Sequence, residues 1–466
     1  MGDRRRNERA QRAPNSASDG DRSVAEGTGP ATATPRHLVP PRSRALEFLL
    51  LAAAAIAAPL AWWFLGTLWR GANSYNDFHD YWLAAKLITL GQSPYNIEAL
   101  RALAKTEHLQ FLVGGGYQYP LPFAVAMIPF TALSFGNAVL LFNSVSLAVF
   151  GLSVAGWIGW AHGWAAELQW RRLALAGAAG CYPPIYGTIA NGQANLVLFP
   201  LVGVGIALAL DGTSVAQRAS GGVLAGLAAI VKLVPAVLAV PLAIGRRIDA
   251  AAGIAAGALG TLLLADLLVP QGASGGSGLS SLFDTDPYFT NQSFNGFVSR
   301  IVRDSDRTVA LWKAGFDPKL PMLALTVAFG LATLAVLWWN RGRLASRRGL
   351  ALGLGFALVA GVIGAPKNSF WNQASALFAV GLLLAVDVPD LRLSRLGRTD
   401  LVLLGCWLAG SATFALYWTF PPAKTIALAP LVSVLESSSL YGLLALWWLL
   451  ARRLRASQTS AGATIS

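Results

Sequence analysis

Residues 45–69 read ALEFLLLAAAAIAAPLAWWFLGTLW, and the polar stretch SYNDFHDYWLAAKLITLGQSPYN follows closely at residues 74–96. The first segment is long and apolar enough to cross a hydrocarbon core of about 30 Å, which takes about 20 helical residues. It is too long for a signal-peptide core and lacks a convincing cleavage site. The two segments predict a first transmembrane helix that delivers the polar stretch to the outer face of a membrane.

The composition of the 466 residues is typical of a membrane protein, with 55% hydrophobic and 13% charged residues. A soluble protein of this length carries roughly 25% charged residues. The net charge of +13 comes largely from arginines in short loops and both tails, where they set orientation and meet anionic headgroups. We therefore expect a lipid bilayer, and not a nucleic acid, as the partner of this charge. The two cysteines, Cys181 and Cys406, have no metal-ligand spacing.

Recurring apolar segments predict an all-α, polytopic membrane protein with about twelve transmembrane helices. The segments are residues 45–69, 120–133, 135–160, 173–189, 194–210, 221–244, 250–269, 320–339, 350–363, 370–386, 401–419 and 426–450. Residues 70–118 and 270–318 form two external loops that we expect to carry short amphipathic helices. Leu83, Leu87 and Leu90 predict one such helix on the membrane surface, and residues 100–112 predict a second.

The tails and the basic loops indicate how the chain crosses the membrane. Residues 1–44 are rich in small, polar and basic residues and predict a disordered basic cytoplasmic tail, and residues 452–466 predict a second cytoplasmic tail after a transmembrane domain at 45–451. Arginine clusters at 341–348, 392–398 and 452–455 also predict the cytoplasmic side. Arg171 and Arg172 leave two counts open. Either 120–133 is re-entrant and 221–244 is split at Lys232 and Pro235, or both segments are ordinary spans.

The first external loop concentrates polar chemistry in Asp77, His79, Asp80 and Tyr81. An acidic cluster at the mouth of a transmembrane segment can act as a general base or bind a cation. Asp77 can equally be the N-cap of the helix that begins near Phe78, which requires no function.

Later loops add the complementary groups Asn291, Gln292 and Arg300, followed by Lys367, Trp371 and Asn372. Amides and aromatic faces suit a sugar, and lysine or arginine holds a phosphate, so these residues predict a carbohydrate site with an anionic leaving group. Lys232 lies within an apolar run, where burying a cation is costly. It either snorkels to an interface or faces an internal cavity, and Gln193 either lines the same cavity or ends a helix.

Five motifs in order resemble glycosyltransferase family 87 of the GT-C superfamily, which comprises membrane transferases that use polyprenyl-phosphate sugars and includes mannosyltransferases. They are DFHDYWLAAKLITLGQSPY at 77–95, YPLPFAVAMIPF at 119–130, NGQANLVL at 191–198, AGLAAIVKLVPAVLAVPL at 225–242 and NQSFNGFVSR at 291–300. The resemblance implies a GT-C-like helical bundle whose first external loop carries the catalytic acid. Asp77 opens the family's acid–apolar–x–x–Tyr pattern and is implied to be catalytic, with Asp80 as a second candidate.

The remaining site residues complete the hypothesis. Lys232, Arg300 and Lys367 are predicted to hold the donor phosphate, and His79, Tyr81, Asn291, Gln292, Trp371 and Asn372 to contact the sugar or the acceptor. Well-studied mannosyltransferases of the family carry adjacent histidines after a tryptophan, whereas this chain reads Trp371-Asn372-Gln373. The donor sugar and the acceptor can therefore differ from theirs.

The predicted function is transfer of a sugar, mannose or a related hexose or pentose, from a polyprenyl-phosphate donor to a glycan or glycolipid acceptor. Asp77 would act as base in an inverting displacement on the extracytoplasmic face, beneath the two external loops packed over a cavity. We expect no cofactor and no required metal, because lysine and arginine can neutralise a lipid monophosphate, although Asp77 with Asp80 can also hold a cation. The alternatives are a secondary transporter of a polar or anionic solute and a lipid scaffold or flippase-like partner. No internal repeat of the kind common in transporters is visible.

Overall fold

The computed structural model describes residues 41–70, 76–109, 116–164, 169–268, 284–305, 307, 309–312, 315, 317–422 and 424–456. Within these residues the chain is helical and has no strand, apart from an isolated antiparallel bridge between Asn291 and Ser369. The predicted all-α class is confirmed. Most of the predicted N-terminal tail, residues 457–466 of the C-terminal tail and residues 270–283 of the second predicted loop lie outside the described residues.

The helices follow one another through the whole described chain. Their bounds are α1 Pro41–Arg70, α2 Asn76–Thr89, α3 Ile97–Thr106, α4 Leu121–Met127, α5 Phe135–His162, α6 Trp170–Gly180, α7 Pro183–Asn191, α8 Phe199–Asp211, α9 Val215–Val231, α10 Ala239–Ile244, α11 Ile248–Leu268, α12 Phe294–Val302, α13 Lys319–Trp339, α14 Arg341–Leu344, α15 Arg347–Gly364, α16 Ala376–Asp387, α17 Arg398–Thr419, α18 Ala429–Glu436 and α19 Ser438–Arg455. Short 3-10 helices occupy Ile128–Ala132, Val234–Leu238, Phe370–Ser375, Leu393–Arg395 and Ile426–Leu428. Because α19 continues to Arg455, its last turn includes residues that the sequence assigns to the C-terminal tail.

Eight described helical segments are long and apolar enough to cross a membrane, so the multi-pass architecture is confirmed. Their bounds are Arg44–Leu65, Phe135–His162, Ile248–Leu268, Lys319–Trp339, Arg347–Gly364, Phe370–Asp387, Arg398–Thr419 and Ile426–Arg455. Shorter apolar helices occupy Leu121–Ala132, Phe199–Asp211, Val215–Val231 and Val234–Ile244. Several of the twelve predicted spans therefore correspond to short or interrupted helices.

A buried ion pair between Glu47 and Arg172 ties together the start of α1 and the start of α6. Arg172 Nη1 lies 2.8 Å from Glu47 Oε1, and the two side chains are 7% and 3% exposed. The same guanidinium donates to the carbonyls of His162 and Gly163 at the end of α5. Therefore α5 runs antiparallel to α1, and Arg172 lies at the end of the bundle where α1 begins.

This placement favours the first of the two counts that the sequence leaves open. Both α2, which follows α1, and the start of α5 lie away from Arg172, so the segment between them begins and ends on the same side. The seven residues of α4 and the five of the following 3-10 helix rise together by only about 20 Å, against a hydrocarbon core of about 30 Å. The segment 120–133 therefore does not cross the bundle, as the count with a re-entrant segment requires.

The second part of that count also agrees with the structure, because the segment 221–244 is interrupted. Helix α9 ends at Val231, Lys232 has extended backbone angles, and the 3-10 helix Val234–Leu238 leads into α10. Proline at 235 lacks a backbone N–H and favours such an interruption. Lys232 therefore lies at a chain reversal and not within a continuous span.

Ion pairs gather the arginine loops at one end of the bundle. Arg347 makes two bonds of 2.6 and 2.8 Å to Asp211, which also accepts from Trp160 near the end of α5. At the same end Arg348 pairs with Asp387 at 2.7 Å, and Arg453 pairs with Asp400 at 2.6 Å. The arginine clusters that the positive-inside rule assigns to the cytoplasm thus share one face of the protein, which we call the arginine end.

Helix α2 is buried in the protein, which differs from the predicted surface helix. Phe78, Tyr81, Trp82 and Leu83 have no exposed side-chain surface. The Trp82 indole donates to the Phe130 carbonyl, and α2 packs against α4 and the 3-10 helix after it. The leucine spacing defines only one apolar face, whereas the aromatic residues make the other faces apolar as well. By contrast, α3 is amphipathic and buries Leu100 and Ala104, while residues 110–112 of its predicted range lie outside the described chain.

We predict that Gly192→Ala lowers stability, because this glycine lets the α7–α8 turn approach α2. Its φ is +64°, and an added Cβ would lie 2.7 Å from Cβ of Phe78. The expected cost is about 1–3 kcal/mol of unfolding free energy, seen as a lower thermal midpoint of the detergent-purified protein. Gly136→Ala in the first turn of α5 is the matched control, since nothing lies within 4 Å of its added Cβ. Equal midpoints for the two variants would contradict the prediction.

Candidate active site

A cavity of about 690 Å³ lies where the interrupted helices meet. Its polar wall is contributed by α2, the loop before α4, the turns after α7 and α9, the loop before α12 and the segment after α15. The polar lining residues are Asp77, Asp80, Gln118, Tyr119, Gln193, Asn195, Lys232, Asp286, Lys367, Asn368, Ser369, Asn372 and Ser375. Both loops that the sequence predicts to be external thus contribute carboxylates to one cavity, Asp77 and Asp80 from the first and Asp286 from the second.

The rest of the cavity wall is largely apolar, and the hydroxyls of Thr326 and Thr333 there donate to carbonyls of their own helix. This part of the wall comes from α8, the 3-10 helix Val234–Leu238, α13 and α15, with Phe378 of α16. Along α13 the lining extends from Thr326 to Leu337, which corresponds to about 16 Å of helix. The cavity is therefore elongated, with charged and amide groups at one end and hydrocarbon along the remainder.

Asp77 lies in the first turn of α2 and faces this cavity. Its Oδ2 atom accepts a hydrogen bond from Gln193 Nε2, 116 positions further along the chain. Among the described residues its hydrogen bond goes to this tertiary partner and not to an amide of its own helix, contrary to the N-cap interpretation. Burial raises the pKa of Asp77 above its usual value, and the charge of Lys232 and the Gln193 bond offset only part of that rise.

Asp80 follows three positions later and therefore shares a face of α2 with Asp77. It also lines the cavity and is nearly buried. Burial and, second, the charge of Asp77 raise the pKa of Asp80 well above the usual aspartate value. The two carboxylates thus differ in environment, because Asp77 has a cation and an amide donor and Asp80 has the neighbouring negative charge.

Lys232 lines the cavity and reaches the same amide as Asp77. Its Nζ atom donates to Gln193 Oε1 at 2.7 Å and to the Tyr119 hydroxyl at 3.1 Å. Lys232 and Gln193 therefore share a cavity, as the sequence suggested, and the snorkelling alternative does not describe this lysine. Tyr119 is the first residue of the motif YPLPFAVAMIPF, and the sequence assigned this tyrosine no role. Its one signal was its position just before the apolar segment 120–133.

Lys367 supplies a second cation to the cavity and makes no hydrogen bond or ion pair with any residue that the structure describes. Trp371 and Asn372 lie beside it on the same wall, in the 3-10 helix Phe370–Ser375. Asn195 Nδ2 donates to the Trp371 carbonyl at 3.1 Å and to Asn372 Oδ1 at 3.3 Å, which joins this wall to the α7–α8 turn. Sequence reasoning gave no role to Asn195 or Asp286.

Asn291 and Gln292 lie behind the cavity wall and hold it in place. Asn291 Oδ1 accepts from the Asn368 backbone N–H at 3.1 Å, and the Gln292 backbone N–H donates to the Asn368 backbone carbonyl at 2.7 Å. Gln292 Nε2 donates to the carbonyls of Phe289 and Glu436. The side-chain N–H groups of these two residues, predicted to contact the sugar or the acceptor, donate to backbone carbonyls of the protein.

Arg300, predicted as a phosphate ligand, is buried behind the cavity wall beside Glu436. It is 1% exposed, and its Nε lies 3.6 Å from Oε2 of Glu436, which is fully buried. Its guanidinium also donates to the Asn291 carbonyl at 2.7 Å and to Ser437 Oγ at 3.0 Å. Both Nη atoms are thus bonded to the protein, and Nε faces the Glu436 carboxylate.

His79 and Tyr81 also lie outside the cavity wall. The His79 ring is 2% exposed and stacks on Phe135 with a centroid distance of 4.4 Å, and burial lowers its pKa to about 4. Tyr81 is buried and donates to Gln193 Oε1 at 2.9 Å. His79 therefore packs, and Tyr81 supports the residue that bonds Asp77, whereas the sequence placed both against the substrate.

The structure thus divides the predicted site residues into two groups. Those on the cavity wall are Asp77, Asp80, Lys232, Lys367, Trp371 and Asn372, and those behind it or apart from it are His79, Tyr81, Asn291, Gln292 and Arg300. The alternation of polar loops and apolar segments in the sequence indicates both groups of residues. It does not indicate which of their side chains face the cavity.

Known proteins match a range of the chain that supplies part of the cavity lining. The model of glycosyltransferase family 87 matches residues 117–366, a range that contains Tyr119, Gln193, Lys232 and Asp286. A polyprenol-phosphate-mannose-dependent alpha-(1-2)-phosphatidylinositol pentamannoside mannosyltransferase of Mycobacterium tuberculosis (strain CDC 1551 / Oshkosh) is 28% identical over 324 residues. This match covers 65% of the chain and 64% of the relative, so the chain spans less than two thirds of that relative's length. The family match covers more than half of the 466 residues. The chain belongs to glycosyltransferase family 87.

Proposed function

We propose that this protein transfers a sugar, mannose or a related hexose or pentose, from a polyprenyl-phosphate donor to a glycan or glycolipid acceptor. The observation that carries the proposal is the Asp77 carboxylate, which is bound by Gln193 beside Lys232 at the polar end of a largely apolar cavity. Such a cavity can take a charged sugar phosphate and its lipid chain together. The mannosyltransferase relative is named as dependent on polyprenol-phosphate-mannose, which supports a donor of this class.

The lipid part of the donor accounts for the apolar part of the cavity. A polyprenyl chain that lies along α13 gains favourable burial of hydrocarbon, at about 25 cal/mol per Å². Its phosphate then lies toward the polar end, where Lys367 and Lys232 supply positive charge. Lys367 is the stronger phosphate candidate, because Lys232 already donates to Gln193 and Tyr119.

The chemistry proposed is a single inverting displacement. The acceptor hydroxyl oxygen forms a bond to the anomeric carbon, the bond from that carbon to the phosphate oxygen breaks, and the polyprenyl phosphate leaves. Asp77 takes the hydroxyl proton, since a sugar hydroxyl is a poor nucleophile unless a base within hydrogen-bond reach removes it. The cations stabilise the charge that develops on the leaving phosphate. The raised pKa of Asp77 makes it a better base than an ordinary aspartate while it is ionised.

The orientation proposed places the cavity's polar end outside the cytoplasm and both termini inside. The arginine end supports this, because basic loops favour the cytoplasmic side and the polar part of the cavity faces away from them. Helix α1 starts beside Arg172 at that end, and Asp77 follows soon after α1 ends.

We predict that Asp77→Asn lowers turnover by about a hundred- to ten-thousandfold, since asparagine keeps the size and cannot take the proton. Asp80→Asn is the internal control and should reduce turnover less. Initial rates of purified protein with a panel of polyprenyl-phosphate sugars measure both. If Asp77→Asn keeps nearly full activity while Asp80→Asn is inactive, Asp80 is the base. Failure of the wild type with every donor, together with solute flux in vesicles, would favour a transporter.

Lys367→Gln and Lys232→Gln should raise the KM for the donor by about ten- to a hundredfold, as expected for loss of a bond to a charged phosphate. The matched control is Lys424→Gln, because Lys424 lies outside the cavity and donates to the Ser305 carbonyl. Arg300→Gln should behave differently and lower the thermal midpoint, since it removes the positive charge beside buried Glu436. A normal donor KM for both cavity variants would show that the phosphate binds elsewhere.

The orientation predicts opposite labelling of two exposed positions in a variant whose native cysteines are replaced by serine. Lys105→Cys, on α3, should react with a membrane-impermeant maleimide in intact cells. Arg392→Cys, at the arginine end, should react only after permeabilisation. The reverse pattern would contradict the proposed topology.

A further inference from the structure

The side chain of Gln193 connects the two charges of the polar end. Its amide is 2% exposed and uses all four of its hydrogen-bonding positions. Oε1 accepts from Lys232 Nζ at 2.7 Å and from the Tyr81 hydroxyl at 2.9 Å, while Nε2 donates to Asp77 and, at 3.3 Å, to the Tyr119 hydroxyl. Only this orientation of the amide fits, because the reverse would point an N–H at the ammonium and a carbonyl oxygen at the carboxylate.

The amide also keeps the two charges apart. Asp77 and Lys232, both within the described chain, have no N···O contact of 4.0 Å or less. They are nevertheless close enough for the lysine to lower the pKa of the aspartate. A direct ion pair would occupy the carboxylate oxygen and the ammonium together. With the amide between them, each charge keeps bonding positions for a ligand in the cavity.

The backbone holds Gln193 firmly in this place. The backbone N–H of Gln193 donates to the Thr188 backbone carbonyl at 2.9 Å, and this bond closes the end of α7. The left-handed Gly192 brings the turn against Phe78, one residue from Asp77. The contact therefore depends on a turn that leaves the side chain little freedom.

We propose that Gln193 is a positioning residue that orients the Asp77 carboxylate and prevents it from pairing directly with Lys232. The inference rests on the proposed function, in which Asp77 is the base. It assigns Gln193 a role in the reaction, although Gln193 need not touch the substrate. The charged and titratable groups that face Asp77 or share its cavity are Asp80 and Tyr81 of α2, Tyr119, Lys232, Asp286 and Lys367.

The pH dependence of turnover separates this role from a purely structural one. Gln193→Glu keeps the size of the side chain but replaces the donor to Asp77 by a second carboxylate. Two carboxylates in contact raise the pKa of one of them, so the base should lose its ionised form at a higher pH. The acidic limb of the pH–rate profile should therefore move to higher pH by about one unit or more. Gln193→Met, which removes all four bonds, should lower kcat by about ten- to a hundredfold.

The control is Gln217→Glu, because Gln217 makes its bonds to Thr213 at the opposite end of α9. This variant should keep the wild-type rate and pH profile. Equal loss of Gln193→Glu activity at every pH, or an unmoved acidic limb, would overturn the positioning role even if Asp77→Asn is inactive. In that case the proposed glycosyl transfer would stand and only the role of Gln193 would fall.

A thermal double-mutant cycle tests the same contact without any activity measurement. Gln193→Glu should lower the thermal midpoint, since it places two carboxylates together. Adding Asp77→Asn should restore the midpoint, because the amide at position 77 can donate to the carboxylate at position 193. The two residues then exchange the roles of donor and acceptor. The double variant should remain inactive, having lost the base. If the two changes are additive in stability, Gln193 does not contact Asp77 as proposed, whatever substrate the protein uses.

Discussion

An interrupted helix inside an apolar bundle releases backbone N–H and C=O groups that need new partners, and this constraint organises the protein. Such interruptions are tolerated where the freed backbone lines a cavity or is bonded by protein groups. Here α7 ends just before a left-handed glycine, α9 ends just before Lys232, and the 3-10 helix Phe370–Ser375 precedes α16. All three interruptions border the same cavity. Gln193, Lys232 and Asn372 lie at these interruptions, and Asp77 and Asp80 of α2 face them across the cavity.

The two ends of the bundle use charge in different ways. At the arginine end, Asp211, Asp387 and Asp400 are each paired with arginine at 2.6 to 2.7 Å, so these carboxylates serve the fold. In the cavity, Asp77 meets Lys232 only through an amide, and Lys367 makes no bond within the described chain. Charges that are left accessible in this way are available for a ligand, whereas paired charges are not.

Several polar residues whose chemistry suits contact with a substrate instead support the cavity wall from behind. Asn291 and Gln292 bond the backbone around Asn368, and Arg300 satisfies the Asn291 carbonyl beside the buried Glu436. This second layer holds Lys367, Trp371 and Asn372 in position. A polar side chain in these loops can therefore either bond the protein backbone or line the cavity. The direction in which the side chain points decides which of the two it does.

The sequence by itself determined the helical membrane class, the two polar loops and the sharing of one face by the basic loops, because apolar length and arginine placement act locally along the chain. It also identified Asp77, Asp80, Lys232 and Lys367 as candidates. Only the tertiary structure decided that the 120–133 segment does not cross the bundle, that α2 is buried and that Arg300 faces Glu436. It alone brought Gln193 between Asp77 and Lys232, which lie 116 and 39 positions from it in the chain. The physical reason is that these outcomes depend on which helices pack together, and local patterns of hydrophobicity do not encode contacts between distant segments.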